Sequence, residues 1–503
     1  MTTRRFGRSY VTVLVCQALA AVALLASLRW LALYVDPETF GRYALYQSVV
    51  SAGALLLISW PNAALLRFGR EEWGTHQQIG ATLAARLTLF ASCLCVAVAL
   101  SWLLDPWLRT FLRVDGSPFA WIAAGVIVMP TAELAVYMNQ AVGRTEMYGY
   151  SPLITRAGFL AGVLLIPALQ PGADWTYLAV CMVSSTALAA SVAVVTLPRS
   201  HYRGFAFEAS RIGQLLRYSW TLPFAGISTY VVTWIDSWVI RDVKGVASVG
   251  VYNWAYQTTA VAALAFAPIA VVLTPRVIDA RVKGDRVSLQ RYVDAIVPTA
   301  SLGAAAVALS LAFVFPVLRH VAAPAYAPAY PVILILTSAL PFQLIAYLIT
   351  PIGGAYERIL PRFVLVSAVI AVLNTTGDLL LVRRIGINGA AIATTSSFAI
   401  GALLLVVVVR RAGLDFGPLW RFATPALVLA PALGVLGWSG PTTGGVVIVG
   451  ATVAAFVGAV TYFGRGDDGV VGRVLGLGRA LTLAGAAPGL SVPPPAEPVS
   501  DRC

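Results

Sequence analysis

Long apolar runs separated by short polar loops dominate the chain. A helix needs about 20 residues to cross the roughly 30 Å hydrocarbon core of a bilayer. Runs of that order occupy 10–34, 43–66, 79–104, 118–140, 151–168, 175–197, 218–240, 249–274, 293–318, 329–352, 363–382, 387–409, 418–437 and 444–463. They hold too many consecutive apolar residues for the one-sided stripe of a soluble surface helix. The pattern predicts an all-α polytopic membrane protein with about 14 transmembrane helices. Arg4, Arg5 and Arg8 precede the first run, which is too long for the core of a cleaved signal and is expected to stay as the first span. The pattern stops after Gly464, and residues 464–503, with Pro493, Pro494 and Pro495 near their end, read as a cytoplasmic tail whose last part is disordered.

Composition narrows the class. Only 11% of the 503 residues are charged and 59% are apolar, against about 25% charged in a soluble protein. An ordinary soluble enzyme, a disordered protein and a nucleic-acid binder are excluded on that ground. The net charge of +13 is spread over short loops. With the N-terminus inside, cytoplasmic segments carry 24 Lys and Arg and the outside loops carry eight. That bias predicts cytoplasmic N- and C-termini in a plasma (inner) membrane. The outside loops leave no room for a folded extracellular domain. Cys16, Cys93, Cys95 and Cys181 lie in apolar runs and read as small buried residues, so neither a metal site nor a disulfide framework is expected.

Shifting the chain by 209 residues brings the first run onto the seventh. Arg8 meets Arg217, Gly41 meets Gly250, Tyr43 meets Tyr252 and Arg67 meets Arg276. Six runs separate the copies, an even number, so the halves share one orientation and an axis along the membrane normal relates them. The expected domains are a six-helix lobe at 1–209, a second at 210–415, an extra helix pair at 416–463 and the tail at 464–503.

Several short motifs then fall in order. Asp36-Pro37-Glu38-Thr39-Phe40-Gly41-Arg42-Tyr43 resembles the P-x-x-(F/Y)-G-x-Y turn of oligosaccharide flippases. Leu216-Arg217-Tyr218-Ser219-Trp220-Thr221-Leu222-Pro223 is similar to their entry to the seventh span, and Asp236 to the aspartate that ends it. Val249-Gly250-Val251-Tyr252, Ala325-Tyr326-Ala327-Pro328-Ala329-Tyr330-Pro331 and Gly386-Ile387-Asn388-Gly389-Ala390-Ala391 resemble the openings of later spans. Over about residues 8–440 the chain resembles the polysaccharide (O-antigen type) flippases, related to the multidrug and toxic-compound extrusion fold. The resemblance implies that two lobes rock around a central cleft. They would move an oligosaccharide linked to undecaprenyl pyrophosphate from the inner to the outer leaflet, for cell-surface polysaccharide synthesis. It implies no covalent step and no cofactor, but a coupling proton or Na⁺. The implied partners are the lipid-linked oligosaccharide, membrane lipids and polysaccharide assembly machinery, with no nucleic acid.

Charges inside spans are the site candidates, because each costs about 2.5–3.5 kcal/mol at mid-membrane on insertion scales. Arg29, Arg86, Arg156 and Glu133 lie in the first half, Asp236 and Asp378 in the second. The arginines suit a pyrophosphate and the aspartates a coupling ion; snorkelling to the headgroups is the bland alternative for the arginines. Arg29 and Asp236 sit at matching depth on repeat-related spans and are expected to pair in an outer gate. Asn62, Asn253, Gln257 and Asn374, with Gln47 and Gln343, suit sugar hydroxyls or interhelical hydrogen bonds. Pro61, Pro130, Pro223, Pro268 and Pro341 are expected to bend spans. Trp30, Tyr34, Tyr43, Tyr46, Trp60, Trp234, Trp238, Tyr252 and Trp254 suit an interfacial belt, or stacking on sugar rings. The rival readings are a lipid II flippase, a cation-coupled drug antiporter, a structural membrane partner, and a polytopic glycan polymerase or ligase. The enzyme lacks the sizeable outside loop such chemistry uses, and the lobe repeat disfavours a purely structural role.

Overall fold

The computed structural model describes residues 3–169, 173–198, 205, 207–220, 222–264, 277, 280–281, 284–321, 324–356, 359–416 and 433. Among them every regular element is helical, with no strand. Seven helices are long and apolar enough to cross a membrane, and nine if each of two bent pairs is one span. The expected spans at 418–437 and 444–463, the tail and Pro268 lie outside the described residues.

The first group of helices comprises α1 (Thr3–Tyr34), α2 (Pro37–Ala52), α3 (Asn62–His76), α4 (Gly80–Leu103), α5 (Asp105–Leu112), α6 (Phe119–Ala141), α7 (Met147–Leu164), α8 (Ile166–Leu169) and α9 (Trp175–Val195). A half-buried linker helix, α10 (Ala209–Ser219), leads to the second group. That group holds α11 (Leu222–Lys244), α12 (Val246–Leu264), α13 (Arg286–Val321), α14 (Ala329–Thr337), α15 (Leu340–Ala355), α16 (Leu360–Ile385) and α17 (Ile387–Arg410). Within the first group α1 packs on α7, and α9 on α6 and α7; within the second, α16 packs on α17 and α11.

Local chemistry sets the ends. Asp36 caps α2, its carboxylate accepting from the amides of Glu38 (2.9 Å) and Thr39 (3.0 Å), with Pro37 at the first helical position where no N–H is needed. Asp174 caps α9 in the same way. The prolines divide by position. Pro61 lies in a real break: the run 37–59 is a π-helix over Gly53–Ser59, and it meets α3 at 40°. Pro130 sits inside α6. Pro223 is instead the second residue of α11, and Pro341 the second of α15, where a missing N–H costs little. The second bent pair, α14 with α15, turns by 42° just before Pro341.

The groups meet along α11, which packs on α2 and the π-helix, and along α12, which packs on α2 near the end where α1 finishes and α12 begins. There α2 crosses α12 at two glycines. A Cβ on Gly41 would stand 2.1 Å from the carbonyl oxygen of Val246, and one on Gly250 would stand 1.9 Å from that of Pro37. Gly41 and Gly250 are repeat mates at the 209-residue offset, and so are Pro37 and Val246. The contact is therefore reciprocal, as a local twofold axis requires. Only hydrogen side chains allow this backbone approach. Hydrogen bonds flank the crossing. Trp238 donates to Ser48 Oγ (3.1 Å) and Trp254 to the Leu28 carbonyl (2.9 Å). Arg241 donates to the carbonyls of Phe111 (2.8 Å) and Thr110 (2.7 Å), and Tyr326 to that of Val35 (3.2 Å). Trp254, Tyr43, Tyr46 and Tyr252 are fully buried in this core and form no interfacial belt; Tyr34 alone of the aromatics above is 45% exposed at its span end.

Candidate functional site

In the second group, Asp236 of α11 is buried and accepts three hydrogen bonds: from the Tyr252 hydroxyl, from Asn374 Nδ2 (2.7 Å) and from Thr394 Oγ1 (2.8 Å). The donors come from α12, α16 and α17, so this one carboxyl ties four helices together. Asp378 follows Asn374 by one helical turn and is also fully buried. Its carboxyl group interacts with that of Asp236, yet neither of its oxygens receives a hydrogen bond from another side chain or amide.

This arrangement corrects the expected outer-gate pair. Asp236 spends its lone pairs inside its own group of helices, whereas Arg29 of α1 is exposed. Matching depth on repeat-related helices did not make the two side chains face one another, because Asp236 lies on the face of α11 turned to α12, α16 and α17. Asn253 likewise serves the packing, donating to Ser237 Oγ (2.9 Å) and to the Val249 carbonyl (3.0 Å). The expectation missed Tyr252 and Thr394 as carboxyl partners. Tyr252 was visible as part of the Gly-x-Tyr motif; Thr394 had no signal beyond a hydroxyl in an apolar span.

In the first group, Arg86 is wholly buried at the break in the second span. Its guanidinium donates to Asn62 Oδ1 (3.1 and 2.7 Å) and to the Ile58 carbonyl (2.9 Å), and lies over the Phe90 ring. The neighbouring Leu57 carbonyl, left without its α-helical partner by Pro61, accepts from the Trp60 indole (3.2 Å). Ser59 donates to Glu133. Arg86, Asn62 and Glu133, expected to face the cleft, are thus gathered around a helix break. None of them lines the two cavities that follow.

The first cavity lies where the two groups face each other. It holds about 30 Å³ and is lined by Arg156, Thr155 and Tyr43 with Gln47 and Ser185 of the first group, and by Gln257 of α12. One water needs about 10–15 Å³ by such a measure, so the space suits a water or two. The second cavity holds about 400 Å³ and is lined wholly by α11, α12 and α14–α17, within the roughly 300–1,000 Å³ of ordinary ligand pockets. Thr394 belongs to its wall and carries the hydrogen bond to Asp236. The repeat-related tyrosines divide the chemistry: Tyr43 shares a cavity with a cation, Arg156, and Tyr252 bonds an anion, Asp236.

Known proteins resemble the chain to different extents. The archaeal "Probable low-salt glycan biosynthesis flippase Agl15" of Haloferax volcanii is 25% identical over 292 residues, 58% of this chain. The match spans only 60% of that relative's length. Among solved structures, the lipid II flippase MurJ in an inward closed conformation superposes with a TM-score of 0.58 at 15% identity, covering 91% of this chain and 97% of that one. An inward-facing multidrug resistance MATE transporter gives 0.58 at 13% identity, covering 80% and 98%. At these identities the likeness establishes the fold alone, an all-helical one. The model of the family described as polysaccharide biosynthesis protein matches residues 7–280, more than half of the chain, and the protein belongs to that family.

Proposed function

We propose that the protein flips a lipid-linked oligosaccharide from the cytoplasmic to the outer leaflet, with undecaprenyl pyrophosphate as the carrier. The two lobes at 1–209 and 210–415 alternate between inward and outward access. The charge bias of the loops puts the glycine-crossed end outside, so the present conformation is closed to the outside. One observation carries the reading: Arg156 and Gln257 come from opposite groups of helices and line one cavity directly below that closed end. A cation there meets a diphosphate as it crosses between lobes, where a sugar-diphosphate headgroup in bare hydrocarbon would lose its hydrogen bonds to water. No bond is made or broken. The name of the archaeal relative, a glycan biosynthesis flippase, supports the same cargo class.

The Asp236–Asp378 pair is the coupling site in this reading. A proton or Na⁺ entering between the carboxyls removes their mutual repulsion and changes the node that ties α11 to α12, α16 and α17. Depletion of the protein in cells should leave undecaprenyl-linked repeat units on the cytoplasmic leaflet, measured by their protection from a membrane-impermeant periodate label added outside. Repeat units that reach the outer leaflet at the normal rate without the protein would refute the assignment.

A further inference from the structure

The larger cavity has a hydrogen-bonding polarity that residue types alone do not reveal. Ser228, Thr229, Thr233, Thr259, Thr350 and Ser367 line it, and each donates its hydroxyl proton to the carbonyl four residues earlier in its own helix, at 2.8–3.1 Å. Thr394 spends its proton on Asp236. A hydroxyl has one proton and two lone pairs. With the proton spent, each oxygen turns only lone pairs to the cavity. No Lys, Arg, Asp or Glu belongs to the described lining, and behind the wall Thr394 is bonded to Asp236.

The serine and threonine oxygens of this wall take hydrogen-bond donors, and donors of its own come only from Gln343, Tyr256 and Tyr347 among the described lining. A phosphate or carboxylate offers only acceptors and brings a negative charge toward Asp236, so it finds no partner among the serine and threonine oxygens. A sugar hydroxyl supplies the missing protons. Tyr256 and Tyr347 add aromatic faces for the C–H side of a ring, and Gln343 an amide that fits hydroxyls in either direction. We infer that this chamber, between α11, α12 and α14–α17, is the subsite for an uncharged sugar of the cargo, with the diphosphate held on the Arg156 side. The inference rests on the flippase reading and adds to it the orientation of the cargo and a preference for neutral over acidic glycans.

Three probes test it on the full chain in lipid nanodiscs: a short-chain prenyl diphosphate bearing a glucosyl residue, the same compound bearing a glucuronosyl residue, and the sugar-free diphosphate. The glucosyl probe should bind at least about fivefold more tightly than the glucuronosyl one, since a single unpaired buried acceptor costs about 1–3 kcal/mol. The near-isosteric Thr229→Val and Thr350→Val each remove one acceptor. Each should weaken the glucosyl probe several-fold and leave the sugar-free probe unchanged. Wild-type discrimination needs no variant, so a variant that misfolds does not blunt the test. Equal binding of the two sugar probes overturns the subsite while leaving the flippase reading intact. So does a Val variant that weakens the sugar-free probe equally, or one that alters only Na⁺ dependence and thereby makes the chamber a cation vestibule. If none of the probes binds, the flippase reading falls and the subsite falls with it.

Discussion

The glycine crossing makes the sharpest prediction about the transport cycle. In Gly41→Ala the new methyl carbon would sit 2.1 Å from the Val246 carbonyl oxygen, and in Gly250→Ala 1.9 Å from that of Pro37. The obstacle in each case is backbone, which cannot swing aside as a side-chain tip would. The helices α2 and α12 must therefore part by about 1 Å, and overpacking of this kind costs about 1–3 kcal/mol. The cost falls only on the conformation in which the two helices touch. It should bias the lobes toward opening at that end by roughly 5- to 150-fold. The same separation relieves both methyls, so the double variant should shift the equilibrium by less than the sum of the singles. Spin labels on exposed Asp115 and Asp242, one from each group of helices, would report the distance by pulsed electron resonance in a background without native cysteines. Wild-type distance distributions in both single variants would show that the crossing does not hold the end shut.

Other positions respond differently. Asp378→Asn removes the second ionisable carboxyl while keeping the shape of the pair, so transport should lose its dependence on pH or Na⁺; retained dependence in a flux assay would move the coupling ion elsewhere. Asn62→Ala takes two hydrogen bonds from the buried Arg86 guanidinium and should destabilise the protein by about 1.5–3 kcal/mol, read as a lower midpoint of thermal unfolding in detergent. Arg29→Ala should leave the closed end unchanged, because Arg29 is exposed and Asp236 is satisfied within its own helices; the spin-label pair above would detect a shift. Arg156→Ala should weaken binding of a sugar-free prenyl diphosphate about tenfold or more, a change absent in Thr229→Val.

How much of this was legible in the sequence differs from residue to residue. The apolar runs determined the helices, because a backbone in hydrocarbon has no water to bond and must satisfy itself within each segment. The offset of 209 residues determined that two similar units lie in one orientation, and it even marked Gly41 and Gly250. It could not say that these glycines touch each other, since a repeat fixes likeness and not contact. The intramembrane charges were the right residues to single out, but depth along a helix is only one coordinate. The rotation of α11 decided that Asp236 joins Tyr252, Asn374 and Thr394, and that of α1 decided that Arg29 stays exposed. Arg86 shows the same limit: an arginine in a span reads as a ligand for phosphate, and only the tertiary structure makes it a clamp between Asn62 and the Ile58 carbonyl beside the break at Pro61. Sequence set which segments are helical and which side chains are costly in lipid, because both follow from local chemistry. The tertiary structure chose each costly side chain's partner, because that depends on how helices far apart in the chain turn their faces toward one another.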